Sequence, residues 1–102
     1  RRRQFSTLST LNAFAETGSV DEAREVFLQL EATVPPKKFR MLFNTMIKAC
    51  AKAGNPAEAM HYHGLMLAAG VSPNLETFGK LMEAAAKAGD VTMAKRWLGE
   101  LQ

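Results

Sequence analysis

Apolar residues recur at helical spacing through most of this chain, in paired stripes separated by a glycine. Phe43, Met46, Ile47 and Cys50 follow the i, i+3, i+4, i+7 pattern of an amphipathic helix. Gly54 supplies a permissive backbone where that helix must end. Asn55-Pro56-Ala57-Glu58 then offers an N-cap, a proline at the first helical position and a capping-box acid three residues on. A second stripe, Ala59, Tyr62, Met66 and Ala69, runs on to Gly70 and Pro73, which stop the helix and turn the chain. The pattern predicts a helix, a tight turn, a second helix and an exit.

The same unit is written before and after. Ser19-Val20-Asp21-Glu22 predicts a capping box, with Ala23, Val26, Phe27 and Leu30 as the buried stripe. Its exit, Val34-Pro35-Pro36-Lys37-Lys38, has two prolines and no glycine, so this linker is stiffer than the next. In the last unit Leu75, Phe78, Leu81, Met82 and Ala85 are expected to line the first helix, and Ala94, Trp97, Leu98 and Leu101 the second. The phrase Ala-X-Ala-Lys/Glu-X-Gly, with a further Ala five residues on, occurs three times. Its glycines, Gly18, Gly54 and Gly89, stand 36 and 35 residues apart. At such a period each unit is one supersecondary element that buries its apolar face only by stacking on a neighbour. The expected fold is all-α: a solenoid of stacked helix-turn-helix repeats, one domain over 1–102 with approximate units 4–39, 40–74 and 75–102. The first residue is not Met, and the last unit lacks the turn and proline that close the middle one, so the expectation is an excerpt of a longer array.

Composition narrows the class. A 47% hydrophobic, 23% charged chain has enough apolar side chain to fold, which argues against disorder. Its longest apolar stretches, such as Leu65 to Val71, fall far short of the roughly 20 residues of a spanning helix, so no membrane insertion is expected. Cys50 is the sole cysteine, which excludes an intrachain disulfide. The formal net charge of +3 is a mild bias toward acidic partners. Arg1, Arg2 and Arg3 open a Ser/Thr-rich stretch that has no acid before Glu16, a composition like that of a transit segment, although these residues also register as the first helix of the first repeat.

Phe43-Asn44-Thr45-Met46-Ile47, Lys52-Ala53-Gly54, Glu58-Ala59, Leu65-Met66, Gly70-Val71 and Ser72-Pro73-Asn74 together resemble one complete pentatricopeptide repeat. The third unit is similar to it, and the first more loosely. The Trp-X-X-Leu-Gly opening of tetratricopeptide repeats is missing. The resemblance implies a right-handed helical array of a mitochondrion or plastid that binds single-stranded RNA along its first helices, in RNA processing, stability or translation. It also implies a base-reading pair, Asn44 and Asn74, with a preference for pyrimidine, cytosine rather than uracil, opposite the middle repeat.

Helical geometry supplies a matching face. At 100° per residue, Met41, Asn44, Lys48 and Lys52 fall within an arc of roughly 80°, opposite Phe43, Met46, Ile47 and Cys50. An apolar platform, an amide and two cations are the ingredients for base contact, edge hydrogen bonding and phosphate attraction. In the third unit the same arc holds Glu76, Gly79, Glu83 and Lys87, and in the first Phe5, Leu8, Asn12 and Glu16, in which carboxylates repel phosphate and Leu8 and Gly79 cannot read a base. Met41 is expected to support the base, and Lys48, Lys52 and Lys87 to attract the backbone. Lys37, Lys38 and Arg40 are further phosphate candidates, with a solvated linker as the plainer reading.

Other residues have plainer readings. His61 and His63 project about 200° apart on a helix and cannot share one metal ion, so no metal is expected. Cys50, Met46, Met66, Met82 and Trp97 sit at core spacing. Asn74 opens a helix in Ser72-Pro73-Asn74-Leu75 and serves equally as a cap. No nucleophile-base set, paired carboxylates or phosphate loop is present, so neither enzyme activity nor a cofactor is expected. Two main readings remain open: single-stranded RNA binding, and a protein scaffold within a larger organellar assembly. A third makes the chain the targeting arm of an enzyme whose catalytic domain lies elsewhere.

Overall fold

The computed structural model describes residues 7–102, and within them the paired stripes become six α-helices with no strand. The helices are α1 (Leu8–Glu16), α2 (Val20–Glu31), α3 (Phe39–Lys52), α4 (Pro56–Ala68), α5 (Leu75–Lys87) and α6 (Val91–Glu100), with a 3-10 turn at Pro36–Lys38 before α3. Helices α1, α3 and α5 pack side by side as one layer, α3 in the middle. Each second helix backs its own partner, and α2 and α4 also reach the next first helix. The expected all-α stack of helix pairs is thus observed. Arg1, Arg2, Arg3 and Phe5 lie outside the described residues.

The core follows from this layering. Eight residues of α3 are buried, Leu42 and Phe43 through Ala51, because it is covered on both flanks and at its back. Phe27 of α2 sets its ring edge against Phe43 and Tyr62, locking the first two units together. Met46, Met66, Cys50 and Trp97 are buried as their spacing predicts.

Glycine closes four of the helices in one way. At the end of α3, Asn55 N–H donates to the Cys50 carbonyl and Gly54 N–H to that of Ala51, the paired bonds of a Schellman turn. Gly18 does the same for α1 with φ +67°, and a Cβ there would stand 3.1 Å from the Ala53 nitrogen. The first turn therefore rests directly on the end of α3.

Some local expectations are corrected. Ser19 stands at the N-cap of α2 without capping; its hydroxyl is bonded to that of Thr17 at 2.7 Å. Asn55 caps α4, but Glu58 takes Arg24 of α2 at 3.0 Å instead of reaching back to the cap. Ala69, Leu75, Leu98 and Leu101 are exposed rather than part of the stripes. Ala69 is the C-cap of α4 and Leu75 the first residue of α5, both beyond the packed turns. Leu98 lines an open groove between α5 and α6 with Met82, Ala86 and Ala94, and Leu101 is the C-cap just past the end of α6.

Candidate nucleic-acid interface

The face opposite the second helices is built from the solvent sides of α1, α3 and α5. Met41, one turn into α3, is 53% exposed. Asn44 is not on the open arc: it is buried, with 3% exposure. Its spacing places it at the edge of that arc, and α5, packed alongside α3, covers that edge.

What covers Asn44 is polar. Its Nδ2 donates to Asn74 Oδ1 at 3.1 Å, and its Oδ1 accepts from the Thr77 hydroxyl at 2.5 Å. Asn74 is the N-cap of α5 and, with Thr77, forms a reciprocal capping box: Thr77 N–H donates to Asn74 Oδ1 at 3.1 Å and Asn74 N–H to Thr77 Oγ1 at 3.0 Å. The two asparagines expected to act together are thus in contact, and Asn74 fills its capping role as well. Asn74 is exposed while Thr77 is fully buried. Thr77 was missed in the sequence, where its one signal is a hydroxyl three residues after a capping Asn.

The cations lie further along the face, and several have partners. Lys48 Nζ donates to Asn12 Oδ1 at 2.8 Å and to Glu16 Oε2 at 2.5 Å, bridging α3 to α1. That bond and the Lys48 charge, with Lys52 and Lys80 adding to it, hold the Glu16 carboxyl below the usual carboxylate range. Lys87 Nζ donates to the Lys52 carbonyl at 3.0 Å, capping the end of α3 where the helix dipole favours a cation. Lys80, a further cation on this face, stands 3.7 Å from Glu83. Glu76 is exposed on the first turn of α5, and Gly79 leaves open space beside it. Arg40 Nε donates to the Ser72 carbonyl at 2.8 Å, tying the start of α3 to the turn before α5, while Lys37 and Lys38 are exposed.

The remaining candidates are structural. His63 packs between Phe78 and Trp97, and burial lowers its pKa. His61 stacks its edge on Tyr62. Among the described residues no group of three or more His, Cys, Asp or Glu could hold a metal ion, and no helix is long and apolar enough to cross a membrane. Burial pushes the Cys50 thiol up to about 12, which leaves it protonated and unreactive. On the opposite side of the molecule a groove of about 500 Å³ runs between α2 and α4, lined by Phe27, Leu28, Tyr62 and Leu65, with the Arg24–Glu58 ion pair along it.

The chain is similar to known repeat proteins. The family model for the PPR repeat matches residues 8–32 and 41–71. A pentatricopeptide repeat-containing protein of Arabidopsis thaliana is 33% identical over 88 residues, 86% of this chain and 14% of the relative. Two others from the same plant, one named mitochondrial and one chloroplastic, are each 33% identical, over 74% and 76% of this chain and 11% and 8% of their own lengths. The chain therefore spans 14% or less of these three relatives.

Proposed function

This chain belongs to the pentatricopeptide repeat family, and from that premise we propose that it binds single-stranded RNA in a mitochondrion or plastid, within an array acting in RNA processing, stability or translation. The observation that carries the proposal is the α3 face. Exposed Met41, the Asn44–Asn74 amide pair, Lys48 and Lys52 follow one another along it, with Lys87 from α5 alongside. In this reading Met41 supports a base, the amide pair reads a pyrimidine, and Lys48, Lys52 and Lys87 draw in phosphates. The chain acts as one repeat domain of three units, 4–39, 40–74 and 75–102, that binds and does not catalyse.

The middle unit carries the base reading and its neighbours supply charge and shape. Glu16, Glu76 and Glu83 dilute the lysine field at the two ends, so this segment alone binds weakly and depends on flanking units for affinity. The groove between α2 and α4, with Leu28 and Leu65 exposed beside it, favours a second reading in which the array is a protein scaffold.

The salt dependence of binding separates the two. Three phosphate contacts predict that log affinity for a short RNA falls against log salt with a slope of about −2. A salt-independent affinity for RNA, or none at low salt, overturns the RNA reading.

A further inference from the structure

We propose that the groove between α2 and α4 is a docking site for a basic amphipathic helix of a partner protein, on the side of the chain away from the α3 face. The inference rests on the scaffold reading of this groove, to which it gives a partner of defined chemistry, and does not depend on RNA. The groove exists because of how the second helices stand. Both α2 and α4 pack on α3 and not on one another, so only side chains span the space between them. Phe27 against Tyr62 makes the floor, with ring centroids 5.2 Å apart, and Arg24 with Glu58 closes one end at 3.0 Å. Leu28 and Leu65 form the two lips and are exposed, and Glu31 stands at the other end. Arg24 and Glu31 are two turns of α2 apart, so the apolar trough runs for about 10 Å.

Two features define the occupant. The outward arc of α4 is apolar beyond the groove itself: Met60, His61, Gly64, Leu65 and Leu67 are all exposed, and the helix holds no Lys, no Arg and one carboxylate, Glu58. A surface helix without a charged outer face is one that another element covers. The charge comes from α2 and is of one sign. Asp21, Glu22, Glu25 and Glu31, with Glu58, put five carboxylates on these two helices against one guanidinium, in a chain whose net charge is +3. Arg24 is shared between Asp21, at 2.9 Å, and Glu58, so this cluster keeps a negative balance, and Glu31 has no ion-pair partner among the described residues. An apolar trough beside an acidic helix suits a helix whose own apolar stripe is flanked by Lys or Arg. The same carboxylates repel phosphate, which leaves protein as the ligand class.

The test titrates the 102-residue chain by NMR with three synthetic peptides. The first has about 14 residues of Leu and Lys with its leucines at i, i+3, i+4 and i+7. The second has Glu in place of Lys, and the third is the Leu/Lys peptide reordered so that no apolar face forms. The first is expected to shift Leu28, Glu31, His61 and Leu65, to leave Met41 and Lys48 unmoved, and to bind about tenfold more tightly than either control. The net charge of +3 taken alone predicts the opposite order for the Lys and Glu peptides, so the preference reports the groove. Leu28→Gln combined with Leu65→Gln, both at exposed positions, is expected to weaken the Leu/Lys peptide about tenfold with the thermal midpoint kept. Glu31→Lys is expected to weaken it about threefold and to strengthen the Leu/Glu peptide by a similar factor, a crossover that a loosened fold does not produce. A Leu/Glu peptide held in the groove more tightly than the Leu/Lys one overturns the basic partner and leaves a protein-binding groove standing. Equal binding of the reordered peptide overturns the helical fit. No groove shift with any peptide at millimolar concentration, or no effect of the two leucine substitutions, overturns the scaffold reading of the groove as well. RNA binding is read at Met41 and Lys48 and is untouched by these results.

Discussion

Phe27 and His63 hold the same place one repeat apart. Phe27 sets its ring 5.3 Å from Phe43 and 5.2 Å from Tyr62, both in the next unit, and His63 stands 6.0 Å from Phe78 and 5.0 Å from Trp97 in the unit after that. The seam between units two and three therefore carries a titratable ring where the first seam carries a hydrocarbon one. Burial lowers the His63 pKa; Arg96 adds to this and Glu100 opposes it.

Because the folded-state pKa lies below the ordinary value of 6.5, the unfolded chain takes up a proton first on acidification. The His63 contribution to stability is thus present above about pH 6.5 and is lost as pH falls through the lower, folded value. Thermal unfolding followed by circular dichroism between pH 7.5 and 5 is expected to show a falling midpoint. His63→Phe, which copies the first seam, is expected to flatten the curve.

Gly18 and Gly89 share a left-handed backbone, but only Gly18 is also crowded, with Ala53 N and Lys52 C within 3.2 Å of an added Cβ. Gly89→Ala is expected to cost about 1 to 2 kcal/mol from backbone strain alone. Gly18→Ala is expected to cost more, because α3 would have to shift. Urea unfolding of the two variants measures the difference.

The repeat, the helix pairs and the inner stripes could be read from the sequence because glycine turns and helical spacing are local signals. Leu98 and Leu75 misled, since an apolar stripe predicts burial only where a neighbouring helix covers it. Asn44 was the harder case. Its angle on α3 is right at the edge of the open arc, and whether it faces solvent or α5 depends on how closely the next repeat packs. Thr77 was invisible because its role needs two partners, Asn44 and Asn74, that lie 33 and 3 residues away.

Lys48 spends part of its charge on Glu16, so removing that carboxylate should release it for phosphate. Glu16→Gln is expected to tighten binding of a short RNA about twofold at low salt, with the gain vanishing at high salt where exposed charges are screened. Lys48→Ala is expected to weaken binding and to make the salt slope shallower by about 0.7. Isothermal titrations at two salt concentrations read both effects.

Cys50 is buried in α3, and its thiol is pushed up to about 12 by burial first and by Glu58 second. The folded chain is expected to resist iodoacetamide at pH 8 and to react fully in denaturant, as counted by mass spectrometry. Rapid labelling of the folded chain would show that α3 opens far more readily than its packing implies.

Where RNA touches this chain is read from side-chain and backbone NMR shifts during titration with a short cytidine-rich RNA, since they register even millimolar binding. RNA seated on the α3 face is expected to give salt-sensitive shifts at Met41, Lys48, Lys52, Lys87 and the Asn44 and Asn74 side-chain amides, with the α2–α4 groove unmoved. Shifts confined to Leu28, Leu65 and their neighbours, or no shift at low salt, would contradict it.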